Sequence, residues 1–273
     1  YNPQIGIGYA FLANLLANGL SLLLLAKEFT GFKFTFDKAV WLQMIKYALP
    51  LLIVGLAGMI NETFDRIVLK RLLPADIGMR ELGIYGACYK ISILMTLFRQ
   101  AFQYAAEPFF FNHAKNADSK KLNAVVMKYF VIACSFLFLA TMLNLSWIKY
   151  FVNENYWDGL KVVPVLLIAN LFFGIYYNLS IWYKLTGQTK YGVYITLVGA
   201  FITLVINFVF IPRFSYMASA WATLASYGGM MVISYFLSQK YYGAKYNLKS
   251  FVFFLGFAIT FYFTSLMWRG KID

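Results

Sequence analysis

The 273-residue chain reads as an all-α, polytopic membrane helix bundle of about eight transmembrane helices. Three observations predict it. Hydrophobic residues make up 61% of the chain and charged ones only 13%, with a mean hydropathy of +0.65, against about half and about 25% in an ordinary soluble domain. The apolar residues gather in eight blocks, 8–26, 45–69, 85–110, 124–146, 162–183, 191–211, 217–238 and 250–268, each near the roughly 20 residues that a helix needs to cross a bilayer. No block alternates polar and apolar residues, as the strands of a membrane barrel would.

The first block is leucine-rich and runs into a lysine-bearing loop at 27–44. The second, IKYALPLLIVGLAGMINETFDRIVLK, ends in charges. At about 100° per residue, Gly55, Gly58, Glu62, Asp65 and Arg66 share one helix face. Glu62 and Arg66 are spaced to neutralise one another. One reading is an ion pair near the outer interface, with Arg66 snorkelling toward headgroups. The other is a water-filled cavity or inter-helix site, since ionisable groups inside a bilayer are candidates for function.

The third block places Ser92, Thr96, Arg99, Gln103 and Glu107 on one flank. Arg99 lies near mid-span, where an arginine costs at least ~2.5 kcal/mol unless it faces a cavity or a partner. Glu62, Asp65 or Glu107 can be that partner. Pro108 follows Glu107 and is expected to kink or end the helix. Six of the 24 basic residues are arginine, yet the two basic residues on the polar stripes of the second and third blocks, Arg66 and Arg99, are both arginines. Arginine stays charged when desolvated and fits phosphate or carboxylate as a fork. An anionic headgroup, such as a lipid pyrophosphate, is the ligand this choice suggests.

Later blocks carry softer polar stripes. Asn170, Gly174, Tyr177 and Asn178 share a face, as do Thr196, Ala200, Thr203 and Asn207, and then Ser219, Thr223, Ser226 and Met230. Small and hydroxyl residues of this kind pack helices against one another in bilayers. The blocks at 124–146 and 250–268 look apolar all round and are expected to face lipid, leaving a six-helix bundle over 45–238 with a polar interior seam. Glycines and prolines within spans are tolerable because neighbouring helices satisfy the freed backbone.

With the 27–44 loop in the cytoplasm, the loops and flanks alternate in basic content. One side carries thirteen basic residues, among them Lys33, Lys120, Lys121, Lys128 and Lys245; the other carries nine, Lys271 included. The positive-inside rule places the richer side in the cytoplasm. The net charge of +13 then reflects topology and contact with anionic membrane lipids, and no nucleic-acid partner is expected. Cys88 and Cys134 lack a partner spacing, so neither a disulfide framework nor a metal site is indicated. No cofactor is expected. His113 stands alone in the polar NHAKNADSKK loop and reads as solvated. The Tyr1 start suggests a fragment or a trimmed chain.

The run NETFDRIVLKRLLPADIGMRELGIYGACYKISILMTLFRQAFQYAAEPFFFNHAKN resembles the start of the second lobe of Wzx-type polysaccharide flippases, in the multidrug/oligosaccharidyl-lipid/polysaccharide exporter superfamily. The Asp65-Arg66 pair, LGIYGACYKI and AFQYAAEPFF carry the likeness. So do LTGQTK, NFVFIPRFS and MASAWATLAS, in that order, over nearly the whole chain.

The resemblance implies two six-helix lobes around a cavity that opens alternately to either side, a two-lobed MATE-like transporter fold. Residues 1–44 would be the last helix of the first lobe with a cytoplasmic linker, 45–238 the second lobe, and 239–273 an extra transmembrane helix. The missing first lobe becomes an expected partner. The implied activity is not enzymatic. It is the flipping of undecaprenyl-pyrophosphate-linked oligosaccharide across the bacterial cytoplasmic (inner) membrane, for O-antigen, lipopolysaccharide or other polysaccharide synthesis. Arg99, Arg66, Gln103 and Asn178 are then expected to bind substrate, and Glu62, Asp65 and Glu107 to act as charge partners or ion-coupling carboxylates for a proton or sodium ion. A cation-coupled drug exporter of the same superfamily would use Glu62 or Asp65 differently. A membrane polymerase or acyltransferase would need a catalytic constellation, which a lone histidine and short loops do not supply.

Overall fold

A computed structural model describes residues 8–29, 35–116 and 118–269, and these are almost wholly helical, with no strand among them. Each of the eight apolar blocks becomes a helix. They are α1 (Gly8–Leu24), α2 (Lys38–Leu72), α3 (Ala75–His113), α4 (Ser119–Leu143), α6 (Val163–Leu185), α7 (Lys190–Phe214), α8 (Tyr216–Tyr241) and α9 (Leu248–Arg269), with a short α5 at Leu145–Ile148. Eight helical stretches are apolar enough over 18 residues to cross a membrane, α1 together with the 3-10 turn that follows it and α6 with the 3-10 segment that precedes it. The protein is a multi-pass helical membrane protein. Lys33, Lys271 and the Tyr1 start lie outside the described residues.

Two helices outrun their apolar blocks. α3 has 39 residues, about 58 Å at 1.5 Å per residue, and so projects well beyond a ~30 Å hydrocarbon core. Pro108 lies inside it and does not end it, so of the expected kink or stop the stop does not occur. Pro50 and Pro212 are likewise carried within α2 and α7.

The chain divides into two compact units, Tyr1–Ile45 and Lys46–Asp273. In the first, α1 carries a run of exposed leucines and Phe11. In the second, α6 is the central post, buried along most of its length. Helices α3, α4 and α8 pack on it, α7 packs on α8, and α9 lies on α4. α4 therefore does not simply face lipid, as its sequence suggested: Met127, Phe130, Cys134 and Phe138 are buried, as are Asn123, Ser135 and Thr141. Its neighbours α6 and α9 cover it from two sides.

The end of the second unit that holds the 144–162 and 215 turns, opposite the lysine-rich loops, is sealed. A 3-10 segment, Glu154–Val162, lies on α3. A side chain at Gly159 would place its Cβ 2.8 Å from Cys88 Sγ and 3.3 Å from the Ile84 carbonyl, so only glycine lets the two backbones approach. The Cys88 thiol donates to the Tyr156 carbonyl at 3.3 Å, and Tyr216 donates to that of Asp158 at 3.1 Å. The α7–α8 turn is held at Ser215, whose φ of 49° is costly for a non-glycine residue. Its hydroxyl donates to the Glu81 carboxylate of α3. At the opposite end Gly243, with φ of 69°, closes α8 by donating to the Ser238 carbonyl at 2.9 Å.

Candidate functional site

α2 meets the rest of the second unit through two successive stretches. Toward the sealed end, Asn61, Asp65, Val68 and Leu69 are buried. There the Thr203 hydroxyl of α7 donates to Asn61 Oδ1 at 2.9 Å, and Phe64 packs edge-on to Phe208. Asp65 is 2% exposed and accepts the Arg66 backbone N–H at 2.7 Å.

Toward the other end α2 stands away from its neighbours and a cavity of about 420 Å³ opens. Leu51, Val54, Gly55, Gly58 and Glu62 form its α2 wall. A Cβ on Gly55 or Gly58 would meet no atom within 4 Å, so the small residues of the charged stripe border open space. Arg99, Gln100, Gln103 and Tyr104 come from α3; Phe173, Tyr176, Tyr177, Ser180, Tyr183 and Lys184 come from α6. The volume falls in the range of small-molecule sites.

Arg99 is the buried cation of this cavity, 5% exposed. Its guanidinium lies 4.5 Å from the centroid of the Phe173 ring, a face that attracts cations. Its nearest carboxylate, Glu62, is loosely placed at 3.7 Å and is itself 46% exposed. Arg99 Nε is buried without an acceptor. A guanidinium has five N–H donors in a fixed fork, so most of the recognition capacity of Arg99 is unspent.

A second ion pair closes the cavity's far side. Lys184 donates to Glu107 Oε1 at 2.8 Å and to the Tyr177 hydroxyl at 3.0 Å, while Tyr177 donates to the other oxygen of Glu107. Tyr176 and Tyr183 pair through their hydroxyls at 3.3 Å. Lys184–Glu107 and Arg99–Glu62 are the two salt bridges formed between described residues.

The structure thus gathers Arg99, Gln103 and Glu62 at the cavity, with Glu107 held against its Lys184 and Tyr177 lining. It does not gather the others. Arg66 lies over the Tyr89 ring, 4.8 Å from its centroid, and does not pair with Glu62. Asp65 belongs to the closed stretch. Asn178 donates to the Gly174 carbonyl at 3.1 Å, on the α6 face packed against Phe130 of α4, and does not line the cavity. His113 is not free in a loop: its Nδ1 lies 2.9 Å from the Phe109 carbonyl at the end of α3. Lys184, Tyr176 and Tyr183 were missed as cavity residues. The available signal was an YYNLSIWYK run with tyrosines at spacings of 6 and 7 along one helix, ending in a lysine.

Residues 5–113 match the family model of a polysaccharide biosynthesis protein. The match takes in α2 and α3, and with them Glu62, Arg99, Gln103 and Glu107; α6, with Lys184 and Tyr177, lies beyond it. No curated protein and no solved structure matches the chain. Among the described residues no group of three or more histidine, cysteine, aspartate or glutamate side chains is placed to hold a metal ion.

Proposed function

We propose that the protein is a carrier and not an enzyme, moving undecaprenyl-pyrophosphate-linked oligosaccharide across a bacterial cytoplasmic membrane for polysaccharide synthesis, O-antigen among the candidates. The observation that carries this reading is Arg99: a buried guanidinium, loosely paired and with an unused donor, facing a cavity among membrane helices. The match to polysaccharide biosynthesis proteins over α2 and α3 supports the same setting.

The chemistry follows from the pairings. A pyrophosphate competes with Glu62 for Arg99 through two parallel charge-assisted hydrogen bonds, which a 3.7 Å carboxylate does not match. Gln100 and Gln103 supply amide donors beside it, and Tyr104, 78% exposed, offers an aromatic surface at the cavity edge. The lipid tail stays in the bilayer along the exposed apolar flank of α2, where Leu52, Leu56 and Met59 face outward. Return of Glu62 to Arg99 then releases the anion once the site opens to the other leaflet. The first lobe implied by the family resemblance would supply the opposite wall.

The test is flipping of a labelled lipid-pyrophosphate glycan in proteoliposomes, comparing the wild type with Arg99→Gln. Losing a charged hydrogen-bonding partner costs about 1.5–3 kcal/mol, so transport is expected to fall about tenfold to a hundredfold with folding intact. Unchanged flipping reduces Arg99 to a structural ion-pair member. One observation favours a second reading. Asp65 is 2% exposed and in no salt bridge among the described residues, as a cation-coupled multidrug exporter would require. Wild-type protein that flips no glycan but expels a cationic dye, and loses this with Asp65→Asn, establishes that alternative.

A further inference from the structure

A second polar cavity lies away from the one bordered by α2. It has a volume of about 530 Å³ and sits where the start of α4 meets the α8–α9 turn. Four lysines line it, Lys120, Lys121, Lys128 and Lys245, with Asp118 as the single carboxylate. None of the four is in a salt bridge among the described residues; Lys120 lies over the Tyr242 ring, 5.5 Å from its centroid. All four are exposed, and they converge from two separate segments of the chain. Four like charges around one hollow repel one another, and a bound polyanion relieves that.

The cavity does not end in solvent alone. Lys128 and Asn247 also line a narrow cleft between α4 and α9, whose lower walls are Val131 and Phe254. Met127 and Phe251 of that cleft in turn border an apolar cavity of about 210 Å³ reaching across to α8. A cationic hollow at the end of the helices thus adjoins a tight seam of about 10 Å³, room for one water, with the apolar cavity beyond it. The hollow lies at the end bearing the lysine-rich loops, the cytoplasmic leaflet by the positive-inside rule.

We propose that this is a binding site for an anionic phospholipid of the cytoplasmic leaflet, its phosphates held by Lys120, Lys121, Lys128 and Lys245 and an acyl chain parting the α4–α9 seam toward the apolar cavity. Charge complementarity selects an anionic headgroup over a zwitterionic one, as basic pockets between membrane helices do. The adjoining cleft selects a lipid over a soluble phosphate. The lipid would also tie α9, which packs mainly on α4, to the rest of the unit. The proposal is independent of the carrier reading, because none of these residues borders the Arg99 cavity.

The experiment is native mass spectrometry of the detergent-purified protein titrated with cardiolipin, phosphatidylglycerol or phosphatidylethanolamine, with melting temperature followed in parallel. The expected result is retention and thermal protection by the two anionic lipids, weakened about tenfold or more when the four lysines are changed to glutamine. Because those side chains are exposed, a monodisperse variant is expected; single Lys→Gln variants, each weakening retention in part, serve should it not be. Ser250→Trp, which fills the seam without changing charge and lies outside the lysine hollow, is expected to reduce retention as well. Equal retention of phosphatidylethanolamine, or unchanged cardiolipin retention by the glutamine variants, overturns the site. Protection by inorganic phosphate alone that matches the lipid overturns the lipid as its occupant.

Discussion

α2 faces the same bundle twice, and differently. Over 61–69 it is drawn in: Asn61 reaches Thr203, and Val68 and Leu69 are buried. Over 51–62 it stands off: glycines leave space, and a long glutamate meets a long arginine at 3.7 Å. Short amides and hydroxyls bind only when backbones are close, so they fix a closed seam. Long charged side chains can span a gap, and glycines create one. The closed stretch of α2 and the cavity beside it are therefore both written into the polar residues of one helix, through their length rather than their polarity.

The sharpest way to break this comparison is chemical access. A cysteine at Gln103, beside the cavity, is expected to react with a membrane-impermeant thiol reagent supplied at the face of the lysine-rich loops, while one at the fully buried Asn207 does not. The native Cys88 and Cys134 are buried and give a silent background. Equal labelling at 103 and 207 would mean that the seam is as open as the cavity.

Next in size is Gly159→Leu. Its side chain meets Ile84 and Cys88 at the sealed end, and overpacking of this kind costs about 1–3 kcal/mol. A melting temperature that falls clearly, with glycan flipping per folded molecule unchanged, keeps the sealed end structural. Asn61→Leu strands the Thr203 hydroxyl and is expected to cost about 1 kcal/mol, the scale of hydrogen bonds between membrane helices. Reversible unfolding in mixed micelles reads both.

The eight helices were legible because hydropathy is local: each block signals a span without reference to its neighbours. The candidate site was legible in part for the same reason. Glu62, Arg99, Gln103 and Glu107 show themselves as charged or amide residues in greasy surroundings. What a local reading cannot supply is which residues meet. Glu62 and Arg66 have the spacing of a pair, yet Arg66 turns to Tyr89 and Glu62 to a different helix. Lys184 reads as one more basic residue at a helix end until α3 brings Glu107 within 2.8 Å of it. Asn178 reads as a polar residue in a seam, but its Nδ2 donates to its own helix and its Oδ1 is buried without a donor. α4 reads as lipid-facing because its few polar residues are small, although α6 and α9 cover it on two sides.

The smallest predicted effect is the most discriminating for Arg99. Double-mutant cycles measure the coupling of each ion pair: Glu62→Gln with Arg99→Gln, and Glu107→Gln with Lys184→Gln. The second pair is close, at 2.8 Å, and shares a tyrosine hydroxyl; its coupling is expected near about 1 kcal/mol. The first is longer, and its glutamate is half exposed to screening, so about 0.5 kcal/mol or less is expected. A weak coupling leaves Arg99 available to an incoming anion at little cost. If the Arg99–Glu62 coupling instead exceeds that of Lys184–Glu107, the open stretch of α2 is clamped shut by its own charges, and a ligand would have to overcome that clamp before Arg99 could serve it.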